Sequence, residues 1–296
     1  MKVAVIGCGT MGNGIAHVFA QFGHTVVLID ISEEKLASAL GTIEKNLKRQ
    51  AEKGVIKVEE IPEILSRIRT YTNFSGSHLG DCELVIEAAT ENPVIKFDIF
   101  KKLDEMCSSN CILASNTSSI SITKIAAQTR RAEKVIGMHF MNPVPVMKLV
   151  EVIRGYNTSD DTTQRIMEIS RALGKFPVEV KDMPGFVANK ILMPMINEAI
   201  FTLFEGTAGV EEIDSVMKLG MAHPMGPLQL ADFIGLDVCL AILQVLHEGF
   251  GNPKYAPCPL LTNMVAAGKL GVKSGEGFYV YAPGSKDLKV STVFLK

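Results

Sequence analysis

A dominant charge of one sign is missing from this chain: 30 Lys and Arg stand against 32 Asp and Glu, a formal net charge of −2. No overall basic field is there to recruit nucleic acid or a membrane surface, and neither is expected as a partner. A long apolar run at the start is missing too. Met1-Lys2-Val3-Ala4-Val5-Ile6 stops at Gly7, too short for a signal peptide or a membrane span. The first residues already read as structure, so the expected location is the cytoplasm. The six cysteines (Cys8, Cys82, Cys107, Cys111, Cys239 and Cys258) include no CxxC pair, and none clusters with histidine. They read as reduced thiols packed like small hydrophobes rather than as disulfides or metal ligands. The six histidines form no HExxH or similar spacing, so no metal is expected. Internal repeats and low-complexity segments are also lacking. What remains is an ordinary globular composition, 47% hydrophobic and 21% charged, over 296 residues, a length that suits two domains.

The first half alternates β-rich runs with helical patterns. Val3-Ala4-Val5-Ile6 is a continuous apolar run ending at glycine, as a buried parallel strand would be. A helical stretch from Met11 to Phe22 stops at Gly23. Thr25 to Ile29 is a second strand ending at Asp30. Ser32 then fits an N-cap, with Glu33 and Glu34 at the positive end of the helix dipole. Leu36, Leu40, Ile43 and Leu47 recur at helical spacing and give that helix one buried face. Further strand candidates are Leu84-Val85-Ile86, Ile112-Leu113-Ala114 and Val135 to Met138. Strands alternating with helices imply a Rossmann-type α/β domain with a doubly wound, mostly parallel sheet.

The pattern changes near Asp182-Met183-Pro184-Gly185. Pro184 fits a first helical turn. The stretch from Phe186 to Glu205 is long and apolar, should kink at Pro194, and should stop at Gly206. Beyond it the chain reads as helical until Gly277 to Tyr281, with loops at 223–227 and 252–259. The expected division is an α/β domain over 1–182 and an all-α domain over 183–296. The segment after Tyr281 has no clear period and reads as a loosely held tail.

Gly7-Cys8-Gly9-Thr10-Met11-Gly12 is a G-x-G-x-x-G sequence. It follows a strand, opens a helix and is answered by Asp30 at the end of the second strand, the context that makes the motif specific. Gly7 permits the turn, Gly9 lets the backbone approach a pyrophosphate, and Gly12 lets the helix pack close to the strand. The N–H groups of the first turn, from Thr10 and Met11 on, then face the phosphates. Asp30 is suited to both hydroxyls of the adenosine ribose and would repel a 2′-phosphate, which argues for NAD over NADP. FAD shares the fingerprint, so the motif alone leaves the redox chemistry open.

Two further segments, Ser115-Asn116-Thr117-Ser118-Ser119 and Gly137-Met138-His139-Phe140-Met141-Asn142-Pro143-Val144-Pro145-Val146-Met147-Lys148-Leu149-Val150-Glu151, closely resemble the signature of the 3-hydroxyacyl-CoA dehydrogenase family, above all its short bacterial 3-hydroxybutyryl-CoA members. The likeness runs from residue 1 to about 281 and includes Asp182 to Lys190 and Pro224 to Pro227. Small departures are Met141, Lys190 and Val272. The resemblance implies NAD as cofactor, an acyl-coenzyme A substrate, reversible oxidation of its (S)-3-hydroxyl, and a homodimer. It places Ser118 and Asn189 at the reacting oxygen, Asn142 at the nicotinamide end, and Glu91, Lys96 and Lys273 near the cofactor. Asn46 and Lys53 match positions that contact coenzyme A, within a basic stretch of Lys45, Lys48, Arg49, Lys53 and Lys57. For Glu91, Lys96 and Lys273 a plain surface charge is the competing reading.

Oxidising a secondary alcohol needs a base for the hydroxyl proton as hydride leaves for the nicotinamide. His139, at the end of a strand of the α/β domain, has the right chemistry, since imidazole titrates near neutrality. Glu151 begins the next β-rich run and is suited to orient the ring; the resemblance implies this pair. The alternatives are a related NAD-dependent dehydrogenase of a free hydroxy acid or sugar acid, and a non-catalytic NAD-binding scaffold, which would have no need of the pair.

Overall fold

The computed structural model describes residues 1–282 and 288–295. The chain divides into two compact units, Met1–Met183 and Pro184–Lys296. In the first, strands and helices run β1 (Lys2–Ile6), α1 (Thr10–Gln21), β2 (Thr25–Ile29), α2 (Glu33–Glu52), α3 (Ile61–Ser66), β3 (Ile68–Tyr71), α4 (Gly76–Leu79), β4 (Leu84–Glu87), α5 (Pro93–Met106), β5 (Ile112–Ser115), α6 (Ile122–Ala126), β6 (Val135–Phe140), β7 (Leu149–Arg154), α7 (Asp160–Ala172) and β8 (Phe176–Lys181). The eight strands form one sheet in the order β3-β2-β1-β4-β5-β6-β7-β8, and every neighbouring pair is parallel except β6 with β7. This is the doubly wound α/β architecture that the alternation of elements implies.

The central strands are buried throughout, which is why they read as unbroken apolar runs: Val3, Ala4, Val5, Leu84, Val85 and Ile86 are all fully inaccessible. Helix α2 begins where Ser32 predicts, with Ser32 Oγ accepting from the Lys35 N–H at 3.2 Å. It buries Leu36, Ala39, Ile43 and Leu47 in the core of this unit, beside α1 and α3. Strand order reverses between β1 and β4, which opens a crevice at the carboxyl ends of those strands, where Gly7 and Ala88 follow.

The second unit holds α8 (Ala188–Phe204), α9 (Val210–Ser215), α10 (Pro227–Ile234), α11 (Leu236–Phe250), α12 (Pro259–Ala266) and a two-stranded ribbon, β9 (Tyr279–Val280) with β10 (Lys289–Val290). Its core includes Met193, Ile196, Ile200, Leu228, Leu243 and Leu261. Pro194 lies inside α8 as expected. Pro184 does not start that helix. Gly185 and Phe186 both adopt left-handed φ, +73° and +49°, so the helix cannot begin before Ala188. The expected loose tail is also corrected where it is described: Lys289–Val290 pairs antiparallel with Tyr279–Val280, and Ser291 Oγ donates to Glu276 Oε1 at 2.7 Å. Phe294 packs beside Phe278. Residues 283–287 and 296 of that tail lie outside the described residues. All six thiols are free and buried. Among the described residues no single helix is long and apolar enough to cross a membrane.

Candidate active site

The glycine loop is built by close packing. Gly7 has φ +94°, and a Cβ there would sit 2.5 Å from Ala89 Cα. A Cβ on Gly12 would sit 1.8 Å from the Gly7 carbonyl oxygen, so α1 approaches the loop as only a glycine allows. Gly9 and Thr10 lie exposed at the tip, and nothing stands within 4 Å of the Gly9 Cβ position. Gly9 stands at the N-cap of α1 and has no side chain to cap it, whereas Ser32, Asn92 and Ser159 cap α2, α5 and α7. Uncapped N–H groups at a helix start, with open space over the loop, fit an anionic pyrophosphate. Met11 turns inward, half-buried against the core. Asp30 follows β2, and its Oδ2 accepts the Cys8 N–H at 2.9 Å. Burial pushes the Asp30 carboxyl up, but hydrogen bonds from Cys8 and Ser32 outweigh it and hold the group below the usual carboxylate range. It is therefore an anion fixed beside the loop. These residues fit a dinucleotide.

The neighbouring strand ends carry a polar network. Glu91 Oε1 accepts both the Ser118 N–H, at 2.6 Å, and the Ser118 hydroxyl, at 2.7 Å, while its Oε2 accepts from Thr117 Oγ1 at 2.8 Å. Lys96 is no surface charge: its side chain is 2% exposed, it pairs with the buried Glu87, and its Nζ lies 3.8 Å from Glu91 Oε2. The plain-surface reading fails for Lys96, and Glu91 is only half exposed and fully engaged.

His139 and Glu151 stand opposite each other in the antiparallel β6–β7 register. His139 Nδ1 is 2.9 Å from Glu151 Oε2, and both side chains are largely buried. Asn116 braces the same strand, its Oδ1 accepting the Phe140 N–H at 2.9 Å. Asn142 lies exposed at the start of the loop that joins β6 to β7. The buried Lys175 holds that loop from below, its ammonium donating to the Val144 and Met147 carbonyls.

Asn46 and Lys53 fall seven residues apart on α2 and at its end, so both project from one face of the helix; Asn46 is half-buried and Lys53 exposed. In the second unit, Asn189 is the second residue of α8 and half-buried, and Lys273 pairs with Asp237. The residues that sequence reasoning missed are Glu87, Ser115, Asn116 and Lys175. Glu87 left a trace as a carboxylate closing the apolar run Leu84-Val85-Ile86, and Ser115 and Asn116 stood in the signature segment without a role.

Fold, glycine loop and Asp30 together define the class, a dinucleotide-binding protein of the doubly wound α/β kind. The family model for the 3-hydroxyacyl-CoA dehydrogenase NAD binding domain matches residues 2–183, and the C-terminal domain model of the same family matches residues 185–281. The chain belongs to the 3-hydroxyacyl-CoA dehydrogenase family. It is 56% identical, over 95% of its length and 100% of the relative's, to a probable 3-hydroxybutyryl-CoA dehydrogenase of Deinococcus radiodurans. It is 46% identical to the mitochondrial hydroxyacyl-coenzyme A dehydrogenase of Homo sapiens, over 94% of this chain and 90% of that one. The crystal structure of (S)-3-hydroxybutyryl-CoA dehydrogenase from Ralstonia eutropha superimposes with a TM-score of 0.92 at 52% identity, covering 95% of this chain and 99% of that one.

Proposed function

We propose that this chain interconverts short-chain (S)-3-hydroxyacyl-CoA, 3-hydroxybutyryl-CoA above all, and 3-oxoacyl-CoA with NAD(H). The observation that carries the reading is the buried His139–Glu151 pair in an NAD-binding fold, with its 2.9 Å hydrogen bond. NAD, when bound, accepts hydride from the carbinol carbon. With Nδ1–H donated to Glu151, the basic lone pair of His139 lies on Nε2, which takes the hydroxyl proton; Glu151 then stabilises the imidazolium. In reduction the same nitrogen returns the proton. Ser118 and Asn189 hydrogen-bond the reacting oxygen. Gly7, Gly9, Thr10, Met11 and Gly12 hold the pyrophosphate, and Asp30 takes the adenosine ribose. Glu91, Lys96, Asn142 and Lys273 complete the cofactor site. Asn46 and Lys53 contact the coenzyme A portion.

In this reading the first unit, with a boundary near residue 182, binds the nucleotide, and the second binds substrate and forms a homodimer in the cytoplasm. The test is a steady-state assay of acetoacetyl-CoA reduction beside longer 3-oxoacyl-CoA and free acetoacetate, each with NADH and NADPH. Rapid, NADH-selective turnover of acetoacetyl-CoA is expected. Equal rates with free acetoacetate would favour a dehydrogenase of free hydroxy acids, and no turnover of any of them a non-catalytic scaffold.

A further inference from the structure

Glu87 closes β4 with its side chain fully excluded from solvent, and no step of the proposed reaction uses it. Both carboxylate oxygens are nonetheless committed. Oε1 accepts the Ala89 N–H at 2.9 Å. Oε2 accepts the Ser115 hydroxyl at 2.9 Å and forms the ion pair with Lys96. The first of these bonds shapes the turn after β4. That turn is the wall against which the glycine loop is pressed, since a Cβ on Gly7 would meet Ala89 Cα at 2.5 Å and the Ala88 oxygen at 2.7 Å. The second set fixes the ammonium of Lys96, which α5 carries to the end of β4.

A buried ion pair is a weak source of stability, because two desolvated charges recover little more than they lose and an apolar pair of like volume often does as well. A directional pair that also braces a turn is better explained by what it positions. We propose that Glu87 is a positioning residue of the nucleotide site: it holds the Ala88–Ala89 wall of the glycine loop and the Lys96 ammonium in register, and so sets cofactor affinity without touching the reacting atoms. This rests on the reading of the loop and Lys96 as the NAD pocket. Ser118 is held by its own hydrogen bonds to Glu91, which the Lys96 ammonium reaches only at 3.8 Å, and the His139–Glu151 pair lies on other strands. The effect should therefore fall on KM for the cofactor and not on kcat.

The test is Glu87→Gln in the full chain, assayed for NADH affinity by fluorescence titration, for kcat and KM with acetoacetyl-CoA, and for Tm. Gln keeps the size, but turns an amide toward the Lys96 ammonium or loses the Ala89 bond. The expected result is a rise of about tenfold or more in Kd and KM for NADH, as small misplacements in a site produce, with kcat at saturation within about threefold of wild type. A lowered Tm with unchanged NADH affinity marks a purely structural ion pair and overturns the proposal. If Glu87→Gln does not fold, Glu87→Asp carries the test. It keeps the counter-charge but draws the carboxylate back by one methylene, and NADH affinity equal to wild type there overturns the proposal as well. Wild-type protein that neither binds NADH nor reduces acetoacetyl-CoA would instead bring down the underlying functional reading.

Discussion

His139 and Glu151 are directly cross-strand neighbours, and the 2.9 Å contact between Nδ1 and Oε2 follows from the antiparallel turn-back of β7 against β6. The two residues lie twelve positions apart, at the ends of a loop that is itself pinned by Lys175 through the Val144 and Met147 carbonyls. A hydrogen bond made on paired strands is held by the ladder on both sides, so the imidazole is oriented before substrate arrives.

If His139 is the acid–base group, His139→Gln should lower kcat by about 10²–10⁴-fold, the usual worth of such catalysis, and leave NADH affinity almost unchanged. Glu151→Gln removes the charge that stabilises the imidazolium and should also cut kcat. The double variant should be far less than multiplicatively worse, since the pair acts as a unit. Oxidation uses the base form of His139 and reduction the acid form, so the loss should appear in both directions and the pH profile should change. Near-normal kcat with an unchanged pH profile in His139→Gln would sink the assignment.

Asp30 is held as an anion by the Cys8 N–H and bears on cofactor choice. Its charge should oppose a 2′-phosphate. Wild type should therefore prefer NADH to NADPH in kcat/KM by at least about tenfold, or ~1.4 kcal/mol in the transition state. Asp30→Ala should narrow that ratio, mainly by losing NADH. Equal kcat/KM for the two cofactors in wild type would show that Asp30 does not serve the ribose.

The glycine loop separates packing from binding. Gly9 has ordinary extended backbone and empty space where a Cβ would go, so Gly9→Ala should keep the wild-type Tm within about 2 °C and lose NADH affinity. Gly12→Ala would drive a methyl into the Gly7 carbonyl and should lower both. Overpacking of this kind costs about 1–3 kcal/mol, or several degrees of Tm in a unit of this size. Thermal scans with and without NADH check the contrast, and equal NADH binding by Gly9→Ala and wild type would remove the loop from the cofactor site.

The strands and helices around this loop were legible because local chemistry and tertiary burial agree there. β1 and β2 are buried on both faces and read as apolar runs, and Ser32 caps where a serine should. β3 and β8 were not legible. β3 is the four-residue edge run Ile-Arg-Thr-Tyr, and β8 contains Pro177 and buries only Pro177 and Val180, so neither shows an apolar run. The His139–Glu151 pair was readable by type and likeness, but its contact depends on a strand register that no local pattern encodes. The buried Lys96 looked like any helix-surface lysine, because what takes a charge out of water is a partner from another strand. Pro184 misled for the opposite reason: the left-handed Gly185 and Phe186 that delay the helix are a tertiary matter.

The last prediction concerns acid stability. His17 on α1 is fully buried, and neither ring nitrogen makes a hydrogen bond of normal geometry among the described residues. Burial chiefly brings its pKa down to about 4, against the pull of Gln50 and Gln21 and with a small further push from Lys175. Because the folded pKa is depressed, the unfolded chain takes up a proton below pH 6.5 while the native state does not. The stability this group allows is thus complete above pH 6.5 and lost as pH falls toward 4; linkage makes the loss about 2 kcal/mol between pH 7 and pH 5. Asp232 in the second unit works the other way. Burial raises its carboxyl to about 6 despite hydrogen bonds from the Tyr279 and Phe278 amides, so its native state gains protons, and stability, over the same descent. The wild-type profile mixes the two signs. The difference between wild type and His17→Leu isolates the imidazole, since Leu fills similar space and does not titrate. Urea unfolding at pH 7 and pH 5, followed by the signal of the first unit, should show the variant losing about 2 kcal/mol less than wild type on acidification. Identical losses would mean that His17 finds a proton partner in the folded protein, a buried water included, and that its burial places no acid limit on the fold.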